Sequence, residues 1–262
     1  MRRKETPVGP SSAPQWDLPV PSIADLRVKL YADGATANEM IALAATHHIC
    51  GFTTNPTLMR KAGVRDYERF ARELVERIPD RPISFEVIAD DFPEMERQAR
   101  LIASWGSSVV VKIPVSNTRG EACYPLVRRL SHDGVRVNVT AILSLEQVER
   151  TAGALRGGAE SNVSIFAGRI ADTGRDPVPM VACALRMLSE PQMQLIWASP
   201  RELLNVYQAD AVGCHIITMT TDLLKKLQLV GKDLAEFSLE TVRMFRDDAV
   251  AAGLTLPGHD HD

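Results

Sequence analysis

The stretch SVVVKIPV, residues 108–115, decides the fold that we predict for this chain. It is a short run that is apolar almost throughout, which is typical of a strand buried on both faces in a parallel sheet. Seven further short apolar runs of this kind follow one another: RVKLYAD (27–33), ICGFTTNP (49–56), PISFEVIA (82–89), VRVNVTAI (135–142), NVSIFAG (162–168), QLIWAS (194–199) and CHIITMT (214–220). We therefore predict eight strands.

Amphipathic segments separate most of these strands. Examples are DYERFARELVERI (66–78), DFPEMERQARLIASW (91–105) and LEQVERTAGAL (145–155), whose apolar residues recur every three or four positions. Alternating strands and helices predict the α/β class, and eight such units suit a single-domain (β/α)8 TIM barrel of ~250 residues. The rival is an open doubly wound sheet, which normally carries a GxGxxG loop after its first strand, whereas this chain has DGATANEM (33–40) there. We favour the barrel.

Composition and charge narrow the class of protein. Of 262 residues 45% are hydrophobic, and 30 basic side chains nearly balance 33 acidic ones. Because no long run of like-charged residues occurs, the sequence predicts a small-molecule partner and predicts binding to neither nucleic acid nor a membrane surface. Four widely spaced cysteines and the lack of a long apolar stretch predict a cytoplasmic protein. We expect a flexible, proline-rich leader over 1–22, the barrel with a C-terminal helix over 23–256, and a disordered tail over 257–262.

Lys112 is the polar residue that a buried strand would least accommodate. Three valines precede it and Ile113 follows it. Burial penalises the charged form of an amine, and a neutral amine can attack a ketone and form an imine. The alternative is a lysine that snorkels to solvent or forms a structural ion pair.

Other polar residues lie where strands end. Asp33 closes the first strand and Glu86 lies on the third, so these two carboxylates can serve as base and proton shuttle, or as a helix cap and an ion-pair partner. Asn138 and Thr140 share one parity of their strand and are predicted to face the barrel interior. Asn55, in the motif TTNP, either faces a substrate or closes a turn.

Basic and hydroxyl residues follow the late strands. Ser164 and Phe166 share one parity, Arg169 comes just after them, and Ser199 and Arg201 follow the seventh strand. Arginines and hydroxyls in these barrel loops suit a phosphate group, although each arginine alone is typical of a solvated surface.

Taken together, these motifs resemble the transaldolase and fructose-6-phosphate aldolase family over roughly residues 27 to 250. The resemblance is carried, in the family's order, by KLYADGA, GFTTNPT, FEV, VVVKIPV, NVTAI, SIFAGRIAD, ASPR and GCHIITM. It implies class I aldolase chemistry on a single barrel, acting on sugar phosphates without a metal or organic cofactor.

The resemblance also implies a role for each matching residue. Lys112 would form the imine, Asp33 would take the substrate hydroxyl proton, and Glu86 with Thr140 would hold the water that shuttles protons. The remaining positions would bind substrate: Asn55, Asn138 and Ser164 at the dihydroxyacetone part, Phe166 near the enamine, and Arg169, Ser199 and Arg201 at the phosphate.

Two alternatives to transaldolase activity stay open. Members that release free dihydroxyacetone resemble this chain but carry tyrosine where Phe166 stands, so we favour transfer over simple aldol cleavage. Pro200 and Glu202 depart from the family's pattern beside Arg201 and put the phosphate site in doubt. A catalytically silent sugar-phosphate-binding barrel is the alternative from another class. The late helix in 233–253 leads us to expect a homo-oligomer.

Overall fold

A computed structural model describes residues 19–34 and 36–256 of the chain. The tail predicted for 257–262 and most of the predicted leader lie outside the described residues. The predicted domain bounds therefore stay a prediction.

Eight parallel strands close into a barrel in sequence order, so each strand pairs with its neighbours along the chain and the first pairs with the eighth. The strands are β1 (Lys29–Asp33), β2 (Ile49–Thr53), β3 (Ile83–Glu86), β4 (Val109–Pro114), β5 (Val137–Ile142), β6 (Ser161–Ile165), β7 (Met193–Trp197) and β8 (Ile216–Thr220). Each of the eight predicted runs overlaps one of them, although β6 and β7 each begin one residue before the predicted run, and the (β/α)8 barrel is confirmed.

Helices alternate with the strands within residues 23–227 and cover the outside of the barrel, and a last helix comes later in the chain. They are α1 (Ala37–Ala44), α2 (Pro56–Lys61), α3 (Tyr67–Arg77), α4 (Phe92–Ala103), α5 (Tyr124–His132), α6 (Leu145–Leu155), α7 (Ala167–Ala171), α8 (Val178–Met187), α9 (Leu204–Val212), α10 (Thr221–Lys225) and α11 (Leu234–Ala251). The amphipathic helices begin at side-chain caps: Asp66 accepts the third amide of α3, Asp91 that of α4, and Ser144 forms a capping box with Gln147 in α6. These caps bind amides that have no partner within the helix.

The main core lies between the strands and the helices. Outward-facing strand residues such as Phe52, Phe85 and Trp197 are fully buried there against helix residues such as Leu74 and Met95. Inside the barrel, a small separate cluster of Tyr31, Ile196, Ala198 and Ile216, with Phe166 packed against it, fills the middle of the lumen. The two ends of the lumen are therefore separate spaces.

The chain divides into two compact units. The barrel lies in Ile23–Leu227, and the described part of the second unit comprises residues 19–22 and 228–256. The second unit contains α11, none of whose residues is buried. Within the described ranges, no helix is both long enough and apolar enough to cross a membrane.

Candidate active site

A cavity of about 130 Å³ opens where the carboxyl ends of the strands meet. This is the end of the barrel at which TIM-barrel enzymes carry their active sites. Eight of the residues predicted from the sequence line it: Asp33, Lys112, Thr140, Ser164, Phe166, Arg169, Ser199 and Arg201. The other three, Asn55, Glu86 and Asn138, contact side chains of the lining.

Lys112 is 7% exposed, as its apolar strand predicted. Its Nζ donates a hydrogen bond of 3.0 Å to the carbonyl oxygen of Thr54 and lies 3.2 Å from Oε2 of Glu86. Glu86 is directly beside Lys112 in the register of β3 and β4. A carboxylate at this distance can take a proton from the amine or return one to it, and it also forms the ion pair that the structural alternative requires.

Asp33 is held by two donors that fix both of its oxygens. Thr53 Oγ1 donates to Oδ1 at 2.8 Å, and Asn55 Nδ2 donates to Oδ2 at 3.0 Å. Burial raises the pKa of this carboxyl above its ordinary value, although the nearby Lys112 and the two donors oppose the shift. A carboxyl with a raised pKa binds a proton more readily, which suits a group that must take a proton and later return it.

Asn55 resolves one of the alternatives left open by the sequence. Its Oδ1 accepts the amide of Leu58 at 2.9 Å and caps α2, while its Nδ2 binds Asp33. Asn55 therefore closes the turn and also positions a carboxylate of the cavity. Asp33 is not a helix cap, because Thr36 caps α1.

Thr140 presents a free hydroxyl to the cavity. The side chain is 2% exposed, and its Oγ1 has no hydrogen-bond partner within residues 19–34 and 36–256. Its neighbour Ala141 has φ 61°, and the register of β5 against β6 shifts between Val139 and Ile142. A left-handed non-glycine residue costs free energy and often marks a functional site. A buried hydroxyl without a partner suits a bound water or substrate.

Asn138 lies at the centre of a hydrogen-bonded row beneath the cavity. Ser164 Oγ donates to Asn138 Oδ1 at 2.7 Å, and Asn138 Nδ2 donates to Ser84 Oγ at 3.1 Å. These contacts satisfy the carbonyl of the amide and hold Ser164 against the lining. Asn138 does not line the cavity itself.

The two arginines of the cavity differ in their surroundings. Arg201 forms a two-pronged ion pair with Asp172, in which Nε lies 2.9 Å from Oδ1, and this contact lowers the pKa of Asp172. Arg169 makes no ion pair in the part of the chain that the structure describes, and its guanidinium carbon lies 5.9 Å from the centroid of the Phe166 ring. Arg169 therefore offers the less compensated positive charge.

The loop that carries Ser199 approaches α7 very closely. A Cβ at Gly168 would lie 1.6 Å from the carbonyl oxygen of Ser199, and Ser199 itself has φ 59°. Only glycine permits this approach, which brings Ser199 and Arg169 to the same wall of the cavity.

The sequence reasoning missed several polar residues of the site. Thr218 and Thr220 line the cavity, and Ser84 binds Asn138. The sequence contained a pattern that could have found them. Thr218 and Thr220 lie on one face of β8, and Ser84 lies on the same face of β3 as Glu86. Tyr67, which donates to the carbonyl oxygen of Glu86 at 2.9 Å, comes from α3, and no strand pattern predicts it.

Comparisons with known proteins give matches over most of the chain. Residues 30–256 match the family model described as Transaldolase/Fructose-6-phosphate aldolase. A "Probable transaldolase" from Dehalococcoides mccartyi is 34% identical over 215 residues, covering 80% of this chain and 96% of that protein. Another "Probable transaldolase", from a Thermoanaerobacter species, is 34% identical over 231 residues, covering 87% of this chain and 100% of that protein.

Solved structures at low identity share the barrel. A monomeric dihydrodipicolinate synthase variant superposes with a TM-score of 0.56 at 11% identity, covering 86% of this chain and 79% of that one. The 2,3-dimethylmalate lyase superposes with a TM-score of 0.51 at 12% identity, covering 92% and 89%. At this identity the likeness concerns the fold alone.

Proposed function

Because this chain belongs to the transaldolase/fructose-6-phosphate aldolase family, we propose that it transfers a dihydroxyacetone unit from a ketose phosphate to an aldose acceptor. The donor would be a sugar such as fructose 6-phosphate or sedoheptulose 7-phosphate, and the carrier would be a Schiff base on Lys112. The observation that carries the proposal is a buried lysine at a cavity wall, 3.2 Å from one carboxylate and electrostatically coupled to a second.

The first step forms the imine. The neutral amine of Lys112 adds to the ketone carbon, and the resulting carbinolamine loses water to give an iminium ion. Glu86 lies close enough to Nζ to accept its proton, and the free hydroxyl of Thr140 can hold the water through which that proton reaches the departing hydroxyl.

The second step breaks the carbon–carbon bond. Asp33 takes the proton from the substrate hydroxyl on the far carbon of the bond that breaks, and that oxygen becomes the aldehyde oxygen of the released aldose phosphate. The bonding electrons move to the iminium nitrogen, which leaves a three-carbon enamine on Lys112. The raised pKa of Asp33 supports this role, since it brings the carboxyl nearer to the pH at which the enzyme must accept and return a proton.

The third step passes the enamine to an acceptor aldehyde by the reverse reaction. Phe166 borders the cavity with a ring that has no proton donor, which favours survival of the enamine until the acceptor arrives. Arg169, Ser199 and Arg201 would hold the phosphate end of donor and acceptor. Asp172 already compensates the positive charge of Arg201, so Arg169 would be the main phosphate ligand.

The test of transfer is a product ratio. The protein is given fructose 6-phosphate with and without an aldose phosphate acceptor, and the new ketose phosphate and free dihydroxyacetone are both quantified. Acceptor-dependent ketose formation is the expected result. Equal release of dihydroxyacetone in both cases would assign the chain to aldol cleavage, and no product in either would favour the silent sugar-phosphate-binding barrel.

We also propose that the protein is a cytoplasmic homo-oligomer. Apolar side chains of α11 such as Val242, Phe245 and Val250 are more than half exposed, and exposed apolar patches of this kind often mark subunit contacts. Sedimentation should show a species larger than the 28.8 kDa chain. A monomer at all concentrations would contradict the proposal.

A further inference from the structure

A second cavity, of about 340 Å³, opens at the opposite end of the barrel from Lys112. We call it the floor cavity. Its wall is formed at the amino ends of the strands by Lys29, Arg136, Asn162 and Gln194, with Tyr31 above them. Its volume falls at the lower end of the range of roughly 300–1,000 Å³ in which small-molecule sites lie.

The polarity of this wall is unusual for a barrel interior. Inward positions of TIM barrels are mostly filled by bulky branched residues in stacked layers. Here the layer at the amino ends carries two cations and two amides, and the apolar cluster of Tyr31, Ile196 and Ile216 lies above it. Lys29 is exposed and the other three side chains are partly exposed, but the Nε of Arg136 is buried, and a buried polar group costs free energy unless it has a partner.

The two cations of the floor cavity are only partly compensated. Lys29 makes no ion pair and no side-chain hydrogen bond among the described residues. Arg136 lies 3.3 Å from the carboxylate of Glu160 and donates weakly to the carbonyl of Ser107 at 3.4 Å, but its buried Nε has no partner within the described ranges. Two positive side chains thus face one carboxylate.

We propose that the floor cavity binds a small anion that carries a phosphate group. Arg136 would contribute its unpaired Nε–H and Lys29 a mobile ammonium, the two kinds of donor that bind phosphate oxygens in proteins. Asn162, Gln194 and the Tyr31 hydroxyl would serve further oxygens of the ligand. Burial raises the pKa of Tyr31 to about 12, so its hydroxyl keeps its proton and can donate it to an acceptor.

The chain contains its own reporter for this site. Cys50 lines the floor cavity and is exposed, whereas Cys123 and Cys214 are buried. Cys183, on α8, is partly exposed and does not line the floor cavity, so it serves as an internal control. An anion bound beside Cys50 should slow its alkylation and leave Cys183 unaffected.

The experiment measures alkylation by iodoacetamide at each cysteine by peptide mass spectrometry. The probes are inorganic phosphate and glycerol 3-phosphate, which distinguish free phosphate from a phosphate ester, each compared with chloride at equal ionic strength. With a probe at twice its dissociation constant, the rate at Cys50 should fall about threefold. The protection should disappear in Lys29→Met, which removes an exposed cation, and should persist in Arg169→Met, which alters only the catalytic cavity.

Several outcomes would overturn the proposal. These are unchanged alkylation of Cys50 with both probes, equal slowing at Cys183, and full protection in Lys29→Met. Loss of protection in Arg169→Met would place the bound phosphate in the catalytic cavity and would equally refute the floor site. Circular dichroism of both variants excludes unfolding as the cause of any change.

Discussion

Replacing Asp33 by asparagine tests the base of the proposed mechanism with little change of shape. Thr53 donates to one oxygen of Asp33, and Asn55 donates to the other. In the variant, the amide oxygen can face Asn55 while the amide nitrogen faces Thr53. The Thr53 hydroxyl can accept from this nitrogen because it also pairs with the Thr218 hydroxyl at 2.5 Å, where either oxygen can donate. The fold should therefore survive.

The expected loss can be given a magnitude. An amide cannot take the substrate proton, and a positioned general base contributes typically 10²–10⁴-fold to a rate. Asp33→Asn should therefore slow carbon–carbon cleavage by about this factor, which corresponds to a barrier higher by roughly 3–5 kcal/mol. In the proposed mechanism imine formation depends on Lys112, Glu86 and Thr140, so it should continue in this variant.

Two measurements on Asp33→Asn separate these steps. Single-turnover cleavage of fructose 6-phosphate gives the rate of bond breaking, and borohydride reduction gives the amount of imine. Slow cleavage with normal trapping is the expected pair of results. Cleavage within tenfold of the natural rate would refute Asp33 as the base, and parallel loss of trapping would mean that it acts on Lys112 instead.

Three further predictions follow from the site. Phe166→Tyr adds a hydroxyl beside the enamine, so the ratio of free dihydroxyacetone to transferred product should rise at fixed acceptor concentration; an unchanged ratio would remove the reason for preferring transferase activity. Arg169→Met should raise KM for a phosphorylated donor more than Arg201→Met does, because Asp172 already compensates Arg201; equal effects in steady-state kinetics would contradict this ranking. Because folding raises the pKa of Asp33 above 3.8, ionising this buried group costs stability as pH rises from that value through the folded pKa. Chemical unfolding should thus show Asp33→Asn gaining stability relative to the natural protein over this pH range, and a constant difference would refute the pKa shift.

Local patterns were sufficient to predict the barrel and much of the site. A strand buried on both faces is apolar throughout, and a helix that covers a sheet is apolar on one side. Short apolar runs and amphipathic segments therefore predict the strands and the helices. Strand parity predicted that Thr140 faces the barrel interior and that Ser164 and Phe166 share one face, and all three line the same cavity as Lys112.

Partners distant in sequence were not predictable in the same way. The pairing of Arg201 with Asp172 depends on two loops meeting in space, as does the support of Glu86 by Tyr67. Asn55 closes a turn, which is one of the two alternatives that the sequence left open, and its bond to Asp33 was not predicted. The floor cavity escaped notice because Lys29 and Arg136 each look like an ordinary charged residue at a strand's start.

The most direct test of the mechanism is the identity of the residue that carries the substrate carbon. The protein is incubated with fructose 6-phosphate, reduced with borohydride, digested and searched by mass spectrometry for a reduced three-carbon adduct. We predict the adduct on Lys112, and neither adduct nor turnover in Lys112→Ala, whose apolar strand should keep the variant folded. An adduct on another lysine, or turnover retained by folded Lys112→Ala, would contradict the central claim.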